Sequence, residues 1–416
     1  MSRTNDLGQD RISRLVIRLA IPTMLAQLVN VLYSIVDRMY IGTGVGSLAL
    51  AGVGVCAPIV TLLTSFGSMV GQGGAPIMAM QMGSGDHKSA KQTLNNGFFM
   101  LFVLSAVLTG LFLLTKDQLL MWFGASEATF SYANTYVTIY TAGTFFALIS
   151  GGLNSFLIAQ GFSGLGMATV VLGAVLNIIL DPVFIFIFHM GVAGAAIATI
   201  SSQFFSACMV VYALTHTEDM YKLVWSKVRI DGRMLQRIVR IGIPAGMQSG
   251  MYNISNIIIQ SGVNTLGTDN VTAWATYGKV DGLYWMMINA LGISVTTFVG
   301  QNYGAGRMDR VHKGAGACMI IGTIMTAIVS TLLYLKGYLL IDLFTSDAQV
   351  QEIGLSLIHF LVPTLITYIT IEILSGTLRG VGDAWMPLIM TGVGVCCLRV
   401  IWIIFFLPQY RSILAA

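Results

Sequence analysis

The run LALAGVGVCAPIVTLLTSFGSMVG, from Leu48 to Gly71, carries no charged residue and belongs to an apolar stretch reaching residue 80. A helix needs roughly 20 mostly apolar residues to cross the hydrocarbon core of a bilayer, so this stretch reads as a transmembrane helix. Ten others qualify, giving eleven at about 15–36, 48–80, 93–114, 131–157, 166–188, 191–214, 241–263, 272–300, 314–335, 353–377 and 385–407. Composition agrees. Of 416 residues, 55% are hydrophobic and only 10% charged, against about 25% charged in a soluble domain. Too few polar side chains exist to cover a water-facing surface, and lipid takes over that role. The net charge of +4 sits mostly in loops and offers no basic face to a nucleic acid. Five cysteines, Cys56, Cys208, Cys318, Cys396 and Cys397, lie inside apolar runs without metal-ligand spacing, and read as small packing residues. The N-terminus opens polar and Arg-containing. The apolar run behind it is too long for a signal-peptide core, so the first helix is expected to stay.

Lys and Arg in the loops set the orientation. With the N-terminus in the cytoplasm, sixteen fall on that side: Arg3, Arg11, Arg14, Arg18, Lys88, Lys91, Lys222, Lys227, Arg229, Arg233, Arg237, Arg240, Arg307, Arg310, Lys313 and Arg379. Four fall outside: Arg38, Lys116, Lys336 and Arg411.

The chain also repeats itself. Arg18-Leu-Ala-Ile-Pro22 matches Arg240-Ile-Gly-Ile-Pro244, Gly83-Ser-Gly85 matches Gly304-Ala-Gly306, Ser126-Glu127 matches Ser346-Asp347, and Gln160-Gly161 matches Arg379-Gly380, at offsets of 222, 221, 220 and 219. One repeat holds six helices, an even number, so both copies share one topology. The fold class is all-α integral membrane, two parallel six-helix lobes around a central cavity. The lobes span residues 1–214 and 241–416, joined by the basic linker 215–240. The counterpart of helix 191–214 would occupy roughly 411–434, past Ala416, so the reading expects eleven helices with the twelfth absent. Small-xxx-small pairs at Gly67/Gly71, Gly246/Gly250 and Gly376/Gly380 are expected to let helices approach closely. Pro22 and Pro244, at equivalent places, each free a backbone carbonyl and permit a bend.

Charged side chains within spans are costly and are functional candidates by default. In the first lobe these are Asp37 and Asp181. Tyr33 and Asp37 are four apart and share a helix face, as do Asn177 and Asp181. Two carboxylates with neutral oxygens around them can hold Na⁺ or share a proton. Thr199 and Asn154 are placed to complete the shell. Both helices run outward, so the set is expected in one outer cavity. The bland alternative has Asp37 capping a loop and Asp181-Pro182 starting a turn. In the second lobe Lys279 and Asp281, two apart, do not share a face. Glu372 is the natural partner for Lys279 or Arg399. Met247, Met251, Tyr252, Trp274, Tyr277, Tyr284, Trp285, Met286 and Met287 form an aromatic and Met-rich wall suited to flat cations. The substrate-cavity candidates are Met251, Tyr252, Tyr277, Asp281, Trp285, Glu372 and Lys279. The stretch 83–88 lacks the Gly-Lys-Ser/Thr ending of a P-loop, so an ion gradient is the expected energy source. His-Glu-x-x-His and Gly-x-Ser-x-Gly are absent, which argues against an enzyme.

These residues resemble the multidrug and toxic compound extrusion (MATE) transporters. The resemblance rests on Ile21-Pro22, Tyr33-Ser-Ile-Val-Asp37-Arg-Met-Tyr-Ile-Gly42, Gly161 with Gly164, Asn177-Ile-Ile-Leu-Asp181-Pro182 and Gly300-Gln-Asn-Tyr-Gly304-Ala-Gly306. It looks closest to the DinF-like or related bacterial branches. The resemblance implies an H⁺- or Na⁺-coupled antiporter of a prokaryotic plasma membrane. It would export organic, often cationic drugs by alternating access, as a monomer among lipids, with no cofactor besides the coupling ion. It also implies a cation site at Tyr33, Asp37, Asn154, Asn177, Asp181 and Thr199, with Na⁺ possible at Asp37, Asp181 and Asn177, and bending at Pro22. NorM-like members stress second-lobe acids, but 241–263 contains none. The alternative is a flippase for a lipid-linked saccharide precursor. Such a protein should line its cavity with several cations, whereas only Lys279 and Arg399 lie within spans.

Overall fold

A computed structural model describes residues 11–216, 222–224, 230–342, 345, 347–410 and 413. Arg3, Lys227, Arg229, Ser346 and Arg411 lie outside the described residues. So do all but one of the positions 411–416, where a counterpart of helix 191–214 would begin.

Lipid gives the backbone no hydrogen-bond partner, so each spanning segment must satisfy its own N–H and C=O groups as a helix. The first half contains α1 (Ile12–Gly44), α2 (Ser47–Gly83), α3 (His87–Trp122), α4 (Glu127–Ala142), α5 (Thr144–Ala159), α6 (Ser163–Pro182) with a π turn at Val183–Ile187, and α7 (Gly191–His216). The second half contains α8 (Gly232–Asn264), α9 (Thr268–Gly304), α10 (Met308–Asp342), α11 (Ala348–Leu361), a 3-10 turn at Val362–Thr364 and α12 (Leu365–Gly380). It continues with α13 (Trp385–Thr391), a π turn at Gly392–Cys397, α14 (Leu398–Phe405) and α15 (Leu407–Tyr410).

Among the described residues nine helical segments are long and apolar enough to cross a membrane. The pair α4 and α5, bent by 58° at Gly143, makes a tenth. The eleventh expected span, 241–263, falls in α8, which is long enough at 33 residues but not apolar enough. The reason is one polar stripe. Ser249, Tyr252, Asn253, Asn256 and Gln260 recur at helical spacing and face a cavity rather than lipid.

The repeat is visible in the backbone. The bend at Gly143 in the first lobe corresponds, at an offset of 220, to the 3-10 turn around Pro363. A proline has no N–H to continue the ladder. Gly85 and Gly306 take φ of 74° and 71° in equivalent turns, conformations that a side chain would strain. After Gly85, Asp86 caps α3 by accepting the Ser89 N–H at 3.0 Å, and hydrogen bonding to Ser89 holds its carboxyl below the usual range. The stretch 83–88 is therefore a turn and a helix cap.

Two apolar cores form, and the helix starts are exchanged between them. Leu15, Val16, Leu19 and Ala20 of α1 pack into the core of the second half. Met234, Ile238 and Ile241 of α8 pack into that of the first. The crossing lies beyond each proline, between Met24 and Tyr40 in α1 and between Ile241 and Ile258 in α8. Pro22 does not break α1, which runs on to Gly44. Its missing N–H deprives the Arg18 carbonyl of a partner, and the Ser163 hydroxyl of α6 donates to that carbonyl at 3.0 Å. Ser163→Ala should therefore destabilise the protein by about 0.5–1.5 kcal/mol, the net worth of one hydrogen bond. In a Pro22→Ala background, where residue 22 regains its N–H, the loss should shrink towards zero. A double-mutant cycle on unfolding in detergent measures the difference.

Glycines set how closely the lobes meet. A Cβ on Gly83 would collide with the Gln301 carbonyl, and one on Gly304 with the Met80 carbonyl. Each glycine meets the carbonyl three residues before the other. One turn-pair along, Gly73 meets the Ile238 carbonyl and Gly242 that of Met69, each four residues before the other glycine. The α2–α9 contact, between repeat-equivalent glycines, is thus reciprocal as a pseudo-two-fold axis requires, and α2 meets α8 as closely. Of the three small-residue pairs, Gly67/Gly71 pack on α5 and Gly376/Gly380 on α9. Gly246/Gly250 have nothing within 4 Å of a Cβ, so that pair is not a close contact.

Candidate functional site

In the first lobe α1 packs along α6, and α6 along α7. This brings the two i, i+4 pairs together. The carboxyl groups of Asp37 and Asp181 face one another, with Tyr33 beside both. Asn177 Nδ2 donates to Asp181 Oδ1 at 3.3 Å and to Thr199 Oγ1 at 3.4 Å. The Thr199 hydroxyl in turn donates to the Ala195 carbonyl at 3.0 Å. Asp181 is fully buried and Asn177 nearly so. Asp37 is no loop cap, because α1 continues seven residues beyond it. Asp181-Pro182 does not end the helix either, since α6 continues directly as the π-helical segment Val183–Ile187.

Three oxygens of this cluster, Asp37 Oδ1, Asn177 Oδ1 and Asp181 Oδ2, are buried without a hydrogen-bond donor. A buried polar atom without a partner is costly, and a native fold tolerates few. Three such acceptors in one cluster, two of them on carboxyl groups, mark it as the candidate cation site. The donor set is all oxygen, which suits Na⁺ or a proton.

Asn154 stands apart from the carboxyl groups. Its Nδ2 donates to the Gly166 carbonyl at 2.9 Å and to Thr169 Oγ1 at 2.8 Å, tying α5 to α6. It does line the same cavity of about 350 Å³ as Tyr33, Asn177 and Thr199. Asp37 and Asp181 sit behind those three and are not part of the lining. Sequence reasoning missed Tyr136 and Tyr140 of α4. Tyr136 reaches in beside Asp37, Tyr33 and Thr199. Its ring stacks on Tyr140 at 6.1 Å, and Gln203 Nε2 donates to the Tyr140 hydroxyl at 3.4 Å. The signal was available, since Tyr136 and Tyr140 are four apart within one apolar span.

The second lobe holds a cavity of about 850 Å³ between α8, α9, α12 and α14. Of the predicted substrate-cavity residues, Tyr252, Tyr277, Asp281 and Trp285 line it. Met251 does not, and packs against Gly392. Lys279 is exposed and does not line the cavity, as its two-residue spacing from Asp281 requires. Glu372 departs from expectation. It pairs neither with Lys279 nor with Arg399 but with Arg379, Nη2 to Oε1 at 2.8 Å. The apolar run ends at residue 377, which suggested a loop, yet α12 continues to Gly380. That puts Arg379 two turns from Glu372 on the same helix face. Arg399 bonds Asn256 Oδ1 at 3.4 Å instead.

The lobes share a fold but not these groups. At the repeat offsets, Ile259 and Val400 stand opposite Asp37 and Asp181. The MatE family profile matches the chain twice, over residues 22–183 and 244–404, the second match beginning at Pro244 as the first does at Pro22. The chain belongs to the MatE family. Its two matches fall on the two halves of the internal repeat. Among curated relatives, the probable multidrug resistance protein YpnP of Bacillus subtilis (strain 168) is 26% identical, with 95% of this chain and 88% of YpnP covered. The multidrug export protein MepA of Staphylococcus haemolyticus (strain JCSC1435) is 21% identical over 90% of this chain and 83% of MepA. A crystal structure of MATE in the straight conformation superposes with a TM-score of 0.93 at 23% identity, covering 100% of this chain and 93% of that one. This MatE chain is thus a multi-pass membrane protein with the two-lobed MATE fold.

Proposed function

We propose that the chain is an H⁺- or Na⁺-coupled antiporter that exports organic cationic or aromatic molecules by alternating access, with its N-terminus in the cytoplasm of a prokaryotic cell. The observation that carries the coupling is the cluster of three donor-less buried oxygens at Asp37, Asn177 and Asp181. The names of YpnP and MepA support the substrate class. The two cavities support it further. One is lined by neutral oxygens in front of the carboxyl pair. The other is walled by aromatic rings, with Arg399 the one cation among its described lining residues. A flippase holding a pyrophosphate would need several. The close glycine seam of α2 with α8 and α9 supports a closed state, and the exchanged helix starts near Pro22 and Pro244 support two pivots. Cation binding and substrate binding favour opposite states, and linkage makes their antagonism mutual.

The reading is tested in liposomes carrying the purified protein and loaded with a fluorescent organic cation. An imposed Na⁺ or pH gradient should drive the dye across, and collapsing that gradient with an ionophore should stop it. Movement unaffected by either gradient would remove the coupling from the account.

A further inference from the structure

The face of α1 and α8 turned away from the cavities is built twice to one plan. Arg11 and Arg18 of α1 recur as Arg233 and Arg240 of α8, and Ile21, Leu25 and Leu32 recur as Ile243, Met247 and Ile254, all at an offset of 222. All of these side chains are exposed. At 3.6 residues per turn each set falls on one side of its helix. The cavity-lining Thr23, Gln27 and Asn30 lie on the other side of α1, as Ser249, Tyr252 and Asn253 do on α8. The carboxyl pair of the first lobe has no counterpart in the second, yet this outer face has one. Between its matched arginines each helix adds a third on the same side, Arg14 in α1 and Arg237 in α8, both exposed.

The depths fit a leaflet. In α1 the exposed apolar row runs from Ile21 to Met39, about 27 Å at 1.5 Å per residue, close to the roughly 30 Å of a hydrocarbon core. Arg18 lies about one turn beyond the end of that row and Arg14 about two, at the level of the lipid headgroups. Among the described residues Arg11, Arg14, Arg233, Arg237 and Arg240 form no ion pair within 4 Å. Asp231, at the start of α8, is already engaged. It accepts the Gln92 amide at 2.8 Å and caps the N–H groups of Arg233 and Met234. Three guanidinium groups along two turns repel one another, and an anion relieves that repulsion. The planar fork of Arg matches a phosphate in particular. We infer that each of these helix starts binds one anionic phospholipid, its phosphate on the arginines and its acyl chains along the apolar row. The two sites, one per helix start, lie in the leaflet on the N-terminal side, the cytoplasmic one in the proposed orientation.

The test is native mass spectrometry of the full chain in detergent, titrated with palmitoyl-oleoyl phosphatidylglycerol, with phosphatidylcholine of the same chains, or with glycerol 1-phosphate. Two phosphatidylglycerol molecules should bind per chain at concentrations where phosphatidylcholine does not. Arg11→Gln/Arg14→Gln should weaken one site and Arg233→Gln/Arg237→Gln the other. Each loss should be roughly twenty-five-fold, at about fivefold per cation near a membrane surface. Arg11→Lys/Arg14→Lys and Arg233→Lys/Arg237→Lys keep the charge and should retain most of the binding. Lys336→Gln, which removes an exposed cation elsewhere, should change nothing. Glycerol 1-phosphate in hundredfold excess should not displace the lipid, because it has no chains to lay along the apolar row. Displacement would assign the sites to a soluble phosphate and overturn the inference. Equal binding of phosphatidylcholine would also overturn it. So would phosphatidylglycerol binding unchanged in the Arg→Gln pairs, the behaviour of a stripe that only orients insertion.

Discussion

Gly304→Val is expected to hinder the two lobes from closing on each other and so to slow transport roughly five- to hundredfold, while the protein still inserts and folds. The Cβ of residue 304 would occupy the place of the Met80 carbonyl, and the reciprocal change Gly83→Val would occupy that of Gln301. A flexible side chain could turn aside, but a helix carbonyl cannot, so the helices must separate. Overpacking of this kind costs about 1–3 kcal/mol. At 1.4 kcal/mol per factor of ten, the closed state loses roughly five- to hundredfold in population. With alternating access as proposed, the penalty falls only on the state in which α2 touches α9, so overall stability should change little. The check is a distance between spin labels on α2 and α9 near the seam, together with the transport rate. A matched control is Gly54→Ala on the same helix, whose Cβ would have nothing within 4 Å. That variant should transport normally.

The second large effect concerns stability. Glu372 and Arg379 form a buried ion pair at 2.8 Å, with side chains only 12% and 15% exposed. Glu372 also packs against Gly292 of α9, where no Cβ would fit. Arg379→Ala leaves the carboxylate buried without its cation, a change that costs about 3–5 kcal/mol. The double variant Glu372→Met/Arg379→Met removes both charges and should recover most of that loss, since an apolar replacement of a buried pair is often close to neutral. Thermal unfolding of the three proteins in detergent decides it. An Arg379→Ala variant as stable as wild type would mean that Glu372 is not held as described.

Why some of this was legible and some not follows from the physics of each signal. The spans were legible because lipid demands long apolar runs; the run 241–263 in α8 was read as one of them, although its polar stripe faces the cavity and keeps its mean hydropathy low. Its helical spacing at 249, 252, 253, 256 and 260 was present, but average hydropathy hides a stripe. The repeat was legible from four short matches because turns and prolines constrain residue identity more tightly than packing does. In the first lobe the spacing of Tyr33 with Asp37, and of Asn177 with Asp181, correctly predicted shared faces. Tyr136 and Tyr140 carry the same four-residue spacing, but which faces meet across helices is a tertiary fact, so spacing alone could not place Tyr136 beside Asp37. For the same reason the exchange of helix starts near Pro22 and Pro244 could not be read. The partner of Glu372 was misassigned because apolar runs mark the membrane core, whereas helices continue past it: at 1.5 Å per residue, the 33 residues of α1 extend about 50 Å, against a core of about 30 Å.

The most direct test of the coupling claim compares gradient-driven efflux of an organic cation from liposomes carrying wild-type protein, Asp37→Asn or Asp181→Asn, at equal protein density. Each variant keeps the shape of its side chain and removes one carboxylate from the donor-less cluster. The account predicts that wild type responds to one gradient, Na⁺ or pH, and that both variants lose that response while still binding substrate. Variants that retain the full gradient response would contradict it and move the coupling site out of the first lobe.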